Sequence, residues 1–267
     1  PEGNLFVWGA ITTGGVGGLE QVPGTWREVS VSRTPAAEAH ILLIASNGSL
    51  WSFGRNDRGQ LGVGNQEDQS EPVQISTAST WVEVAAGGKH SLARNSAGQV
   101  FAWGDNTFGQ LNVQPIYNNP AQDIQKSLPN SPVDPGNSYI SISAGVYHSH
   151  AIRSNGTLWV WGSGGFEGTG GPELGILIDR DNDGLVDDYP VEPVTLTQVG
   201  NGAGWTRLFG SYDVTYALRD TGVRIWARTG ELWAWGSGGF IGNGEFGDVL
   251  KTPTRIGNGT NWAYVSR

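Results

Sequence analysis

The chain has 267 residues, with 42 glycines and 12 tryptophans but no cysteine or methionine, and its net charge is −9. Without cysteine it forms no disulfide, no thiolate nucleophile and no zinc–thiolate site. The acidic balance, without any run of lysine or arginine, argues against a nucleic-acid-binding surface. The longest apolar stretch, ILLIA at 41–45, is too short to cross a membrane, so we expect no membrane insertion.

In chain order, one short aromatic string recurs: NLFVWG at 4, SLWSFG at 49, QVFAWG at 99, TLWVWG at 157 and ELWAWG at 231. Apolar and other residues alternate in each copy, which is typical of a β-strand. The copies begin several tens of residues apart, and repeats of that length are typical of solenoids and propellers.

A second string precedes most copies of the first. It reads WVEVAAGGKHSLARNSAG at 81 and YISISAGVYHSHAIRSNG at 139, with weaker copies at 26 and 205. Asn-Gly turns inside these segments predict hairpins, because both turn residues tolerate a positive φ. The segments EPVQI, EPVTLTQV and TPTRI add a further strand to each unit. About five units of four short strands predict an all-β fold, a β-propeller of four-stranded blades.

The segment LWSFGRNDRGQLGVGNQEDQSEPVQI, followed by WVEVAAGGKHSLA, closely resembles the repeat of the regulator of chromosome condensation family. The third unit keeps WGDNTFGQL. The other units keep the strand segments, but their loop sequences depart from the repeat pattern. The resemblance implies a propeller with more blades than this chain supplies, and the last unit lacks a strand. Three alternatives stay open: a fragment with an incomplete ring, a small closed ring, or a ring completed by another chain.

An acidic loop, DRDNDGLVDDYP, lies within the longest unit. We interpret 1–267 as one propeller domain that carries an inter-strand insertion at 163–192, with a calcium-type loop at 179–188. Calcium prefers several hard oxygen ligands, and this spacing wraps carboxylates around one Ca²⁺ ion. Pro190 takes the place of the usual last glutamate, which argues against a helix–loop–helix hand. The alternative is a solvated acidic loop. The predicted metal ligands are Asp179, Asp181, Asp183, Leu185 (through its carbonyl), Asp187 and Asp188.

Histidines and aromatic residues also follow the repeat. His40, His90 and His148 each precede a turn glycine by the same number of residues, which predicts a repeated structural hydrogen bond. A metal pair of His148 with His150 is the alternative. Aromatic residues at repeated positions are expected in the blade cores: Trp8, Trp26, Trp81, Trp103, Tyr139, Trp161, Trp205, Trp235 and Trp262. Loop aromatics are candidate binding anchors: Phe108, Phe166, Phe240 and Phe246.

These observations favour a non-enzymatic extracellular module with a calcium-ordered loop, located outside the cell or on a cell or virion surface. It would be a surface protein, a filament subunit or a virion component that self-associates or binds a protein partner. The alternative is a secreted binding propeller that acts as an inhibitor or a lectin, in which case carbohydrate is a candidate ligand. The family resemblance implies guanine-nucleotide exchange at chromatin, which the missing basic tail disfavours. An enzyme built on paired carboxylates stays open, because propeller loops converge on one face.

Overall fold

The computed structural model describes residues 3–7, 20–32, 34, 38–113, 124–164, 194–210, 214–220, 230–237 and 249–263. Within these ranges the regular elements are β-strands, and the all-β prediction is confirmed. No helix in the described part of the chain is long and apolar enough to span a membrane.

Four antiparallel sheets contain the described strands, which pair in chain order. Sheet 1 consists of β1 (Gly3–Val7), β2 (Glu20–Val31), β3 (His40–Ala45), β4 (Leu50–Gly54) and β5 (Gln69–Ser76). Sheet 2 consists of β6 (Trp81–Ala86), β7 (His90–Asn95), β8 (Val100–Asp105) and β9 (Ile124–Gln125). Sheet 3 consists of β10 (Tyr139–Ala144), β11 (His148–Arg153), β12 (Leu158–Gly162) and β13 (Val194–Gln198). Sheet 4 consists of β14 (Trp205–Gly210), β15 (Val214–Arg219), β16 (Glu231–Ser237) and β17 (Val249–Arg255).

The chain divides into two compact units, and the prediction of one propeller domain over 1–267 remains untested. The first unit, 1–107 with 115–138, contains sheets 1 and 2. Its core includes Leu42, Ile44, Leu50, Trp81 and Trp103. The second unit, 108–114 with 139–267, contains sheets 3 and 4. Its core includes Ile152, Leu158, Trp205, Leu208 and Trp235.

The first copy of the aromatic string, NLFVWG, contributes to β1 and does not form a separate sheet. Strand β1 pairs with the first half of β2, where Leu5 lies opposite Val22, and the second half of β2 pairs with β3. The predicted hairpins do form, as in the turn between β3 and β4. There Asn47 Oδ1 accepts the Ser49 N–H at 3.0 Å. Gly48 has φ +84°, and a Cβ at this position would lie 2.4 Å from the Ser79 carbonyl oxygen.

The repeated aromatic positions are buried, as the register predicts. Trp103, Trp161 and Trp235 are fully buried. Four further residues are almost fully buried: Trp26, Trp81, Tyr139 and Trp205. Trp262 is the exception, with 42% of its surface exposed. It forms an isolated bridge with Gly230 and lies in none of the described strands. Trp8 lies outside the described residues.

Candidate protein-interaction surface

The loop after β4, which carries the recurrent N-x-x-G-Q-L-G letters, is built around a buried amide. Asn56 Nδ2 donates to the carbonyls of Asn65 at 3.1 Å and Glu67 at 3.0 Å. Asn56 Oδ1 accepts the Leu61 N–H at 3.0 Å, so one side chain ties together three points of the loop. The asparagine of the motif is therefore a structural residue, since its polar groups are used inside the protein.

The glutamine of the motif is held by residues of the next sheet. The Gln60 carbonyl accepts hydrogen bonds from Ser91 Oγ at 2.7 Å and Trp103 Nε1 at 2.9 Å. The second unit repeats this arrangement, because the Gln110 carbonyl accepts from Ser149 Oγ at 3.0 Å and Trp161 Nε1 at 2.8 Å. The recurrent motif residues thus hold the loop in a rigid conformation.

Charged side chains lie within this motif, directly before it and in the neighbouring loops of the first unit. We name this set the charged loop surface: Glu38, Arg55, Asp57, Asp68 and Lys89. Arg55 Nη1 lies 3.0 Å from Asp68 Oδ2. Lys89 Nζ lies 3.1 Å from Asp57 Oδ2 and 3.8 Å from Glu38 Oε2. Their side chains are between 30% and 50% exposed, so the network is accessible to another protein.

The charges of this surface are fixed by their neighbours. Burial alone would raise the pKa of Asp57, but hydrogen bonds from Gln60 and Lys89 and the charges of Lys89 and Arg55 outweigh it and lower the pKa. Asp68, followed by Asp57, raises the pKa of Arg55. Arg55 and Asp57 therefore keep opposite charges at neutral pH. Such a pattern favours an electrostatically complementary partner.

The repeated histidines lie inside the sheets. His40 and His90 are fully buried and His148 nearly so. His40 Nε2 lies 3.0 Å from Ser91 Oγ, which supports the predicted structural role at that position. His148 contacts His150 edge to face, with ring centroids 4.9 Å apart. Within the described ranges no group of three or more metal-ligating side chains occurs, so no third ligand joins this histidine pair there.

Acid should destabilise the protein through His40. Burial lowers the pKa of His40 from 6.5 to about 3, although the His90 backbone and Asp57 act in the opposite direction. The unfolded chain therefore binds one more proton than the folded chain between these pH values, and stability falls as the pH drops below 6.5. Relative to His40→Gln, the parent should lose about 2 kcal/mol of unfolding free energy between about pH 6.5 and 5. If the unfolding free energies of the parent and of His40→Gln, measured in urea, changed in parallel with pH, this assignment would be contradicted.

Most of the predicted site residues lie outside the described residues. These are the six calcium ligands, Asp179, Asp181, Asp183, Leu185, Asp187 and Asp188, and three loop aromatics, Phe166, Phe240 and Phe246. Only the first two residues of the predicted insertion at 163–192 are described. The Ca²⁺ site therefore stays a prediction. Phe108 is described and is half-buried, and its ring packs on Tyr147 with centroids 4.6 Å apart.

Comparison with known proteins agrees with the repeat pattern. Two family models, both described as the regulator of chromosome condensation (RCC1) repeat, match residues 47–94 with 97–152 and residues 81–110 with 139–167. The secretion-regulating guanine nucleotide exchange factor of Bos taurus is 28% identical over 87% of this chain. Protein RCC2 of Homo sapiens is 30% identical over 79% of this chain. E3 ubiquitin-protein ligase HERC2 of Homo sapiens is 27% identical over 99% of this chain.

Solved structures show the same fold. Yeast RCC1 (Prp20) bound to Kap60 superposes with a TM-score of 0.70 at 20% identity, covering 96% of this chain and 57% of that one. Prp20p from Saccharomyces cerevisiae, studied with its binding to Gsp1p and histones, gives a TM-score of 0.66 at 21% identity, covering 96% of this chain and 59% of that one. The chain spans 48% of the exchange factor, 41% of RCC2 and 5% of HERC2.

These relatives correct the functional prediction. The predicted function as an extracellular structural module is wrong, because the relatives are exchange factors, regulators and ubiquitin ligases. The extracellular or surface location is wrong for the same reason, since these relatives point away from it. Acidic charge and missing cysteine are too general to identify a compartment. The expectations for nucleic acid, carbohydrate and self-association stay predictions.

The fold, the repeated Gln–Ser–Trp anchor and the matched segments agree with one another. Residues 47–167 of the chain belong to the regulator of chromosome condensation (RCC1) repeat family.

Proposed function

We propose that the chain is a protein-binding module of a regulatory protein and that it binds its partner through the charged loop surface. The observation that carries this proposal is the contrast within one loop. The recurrent residues Asn56 and Gln60 are fully buried, whereas Asp57 between them and Arg55 just before them are accessible and charged. A rigid scaffold that presents variable charged positions is a common design for protein recognition.

The relatives support the same class of function. One of them is a guanine nucleotide exchange factor, and another is an X-linked retinitis pigmentosa GTPase regulator homolog of Caenorhabditis elegans. The solved yeast relative is bound to another protein. We infer that this chain acts by binding rather than by a chemical step of its own, and that small GTPases are the first partner class to test.

Neutralising the two basic groups should remove partner binding. In Arg55→Gln/Lys89→Gln the acidic residues of the charged loop surface lose their counter-charges, but exposed ion pairs contribute little to stability, so the fold should persist. Crosslinking and mass spectrometry from cells of the source organism should show proteins that the parent retains and the double variant loses by about tenfold. The same variants should be assayed for nucleotide release from purified small GTPases.

The matched control is Arg207→Gln/Lys251→Gln, which removes two basic side chains from the second unit. This control should retain the partners, and its melting temperature and that of the test variant should stay near that of the parent. Equal loss in both double variants would point to a general charge effect. Undiminished binding by Arg55→Gln/Lys89→Gln would refute the charged loop surface as the binding site. Faster nucleotide release with the parent and the control, but not with Arg55→Gln/Lys89→Gln, would identify the partner as a GTPase.

A further inference from the structure

An aromatic pair recurs at the same place in every sheet. The aromatic residue of one strand lies opposite the final residues of the next strand: Trp26 opposite Ala45, Trp81 opposite Asn95, Tyr139 opposite Arg153, and Trp205 opposite Arg219. The following strand supplies the second ring: Trp51, Phe101, Trp159 and Trp233. The register therefore makes the residues opposite the first ring directly comparable between sheets.

In the second unit an arginine covers each aromatic pair. The guanidinium carbon of Arg153 lies 3.6 Å from the centre of the Trp159 ring. The guanidinium carbon of Arg219 lies 5.3 Å from the Trp205 ring centre and 5.5 Å from that of Trp233. These are cation–π distances, so the protein itself shows which side chain this position accepts.

Sheet 1 has the aromatic pair without the arginine. Trp26 and Trp51 meet edge to face, with centroids 5.8 Å apart, and Ala45 stands at the arginine position. A groove of about 530 Å³ lies there, lined among others by Pro23, Trp26, Ala45, Trp51, Glu71 and Pro72. In sheet 2, where Asn95 takes the position, Phe101 and Leu128 both pack against the core cluster that contains Trp81. The sheet 1 pair thus lines an open groove where the second unit has an arginine.

The groove also has the charge that an arginine requires. Glu71 lines it and is exposed, and it makes no ion pair with any residue in the described ranges. Trp51 Nε1 donates to Ser49 Oγ at 2.8 Å, which fixes the orientation of the ring. A planar guanidinium can stack on the indole while its N–H groups reach a carboxylate, and its aliphatic stem can pack on Pro23 and Pro72.

We propose that this groove binds an arginine side chain of a protein partner, at the position that Arg153 and Arg219 fill internally in the second unit. This proposal rests on the proposed function in one respect: the arginine belongs to a protein partner. Lysine should bind more weakly, because its ammonium group has no flat face to stack on the ring.

The first test uses short peptides and does not need the natural partner. The peptide acetyl-Gly-Arg-Gly-amide is titrated into the ¹⁵N-labelled chain, and the Trp51 indole resonance, identified by its loss in Trp51→Phe, is followed by NMR. We expect a saturable shift with the arginine peptide and none with the citrulline peptide, which keeps the shape but lacks the charge. No shift at about ten-millimolar peptide, which is near the weak limit of a single side-chain contact, would overturn the proposal.

The second test fills the groove from within. Ala45→Arg should place a guanidinium over Trp51. The affinity for the arginine peptide should then fall by about tenfold or more, since the cation–π site is already occupied. Ala97→Arg, an exposed position in the corresponding hairpin of sheet 2, should bind the peptide as the parent does. Unchanged peptide affinity in Ala45→Arg would refute the site. Peptide binding combined with undiminished partner capture by Arg55→Gln/Lys89→Gln would refute the charged loop surface and leave the groove standing.

Discussion

Replacing Trp103 with alanine should lower the free energy of unfolding by about 4 kcal/mol, because a large buried side chain is removed from a packed core. Trp103 is fully buried in the cluster with Leu42, Leu50 and Trp81. Its Nε1 also donates to the Gln60 carbonyl at 2.9 Å. The loop contacts the indole closely, since a Cβ on Gly62 would lie 2.7 Å from the Trp103 Nε1 atom.

Two matched variants separate packing from hydrogen bonding at this position. Trp103→Phe keeps most of the apolar contacts and loses the N–H, so it should cost only about 1–2 kcal/mol. The Gln60 carbonyl would then still be bonded by Ser91 Oγ. Trp262→Ala removes an exposed ring and should change stability by less than about 0.5 kcal/mol. Urea unfolding at pH 7.5 measures all three, and a loss below about 1 kcal/mol in Trp103→Ala would show that this ring does not anchor the core.

Replacing Asn56 with aspartate should destabilise the protein by about 3 kcal/mol or more at neutral pH, although the two side chains have nearly the same shape. The Asn56 amide nitrogen donates to the Asn65 and Glu67 carbonyls. A carboxylate has no donor and would face these oxygens while fully buried. Its pKa would therefore rise in the folded state.

The pH dependence of Asn56→Asp identifies the cause. A raised folded-state pKa means that the folded variant binds more protons than the unfolded chain, so its deficit against the parent should shrink as the pH falls. We expect a smaller difference in unfolding free energy at pH 4.5 than at pH 7.5. Asn65→Asp is the control, because Asn65 is exposed and its side-chain oxygen accepts the Glu67 N–H, which a carboxylate can also accept. A deficit independent of pH would exclude the buried charge as the cause.

Strands and turns could be predicted from the sequence because their signals are local. The string HSLARNSAGQVFAWGD contains β7, a turn and β8, and the structure places them at His90–Asn95 and Val100–Asp105. The buried tryptophans followed from the same register, apart from Trp262. The joining of the first string to β2 was not predicted, since pairing between segments is not a local property.

The candidate sites were much harder to predict. Lys89 and Asp57 are brought together by the packing of sheets 1 and 2, and no pattern in either segment indicates the contact. Ala45 is an ordinary strand residue until its register opposite Trp26 is known. The compartment and the structural role were predicted wrongly because they were argued from composition, which many unrelated proteins share. The acidic loop at 179–188 lies outside the described residues, so its Ca²⁺ site stays a prediction.

The anchoring of Gln60 by Ser91 and Trp103 has a consequence for dividing or recombining such proteins. The loop that follows β4 owes part of its shape to residues in β7 and β8 of the next sheet. The smallest portable piece is therefore larger than one sequence repeat. A chimera that transfers the loop with its binding residues must also transfer the chain from β5 through β8, or supply other strands that donate the same two hydrogen bonds.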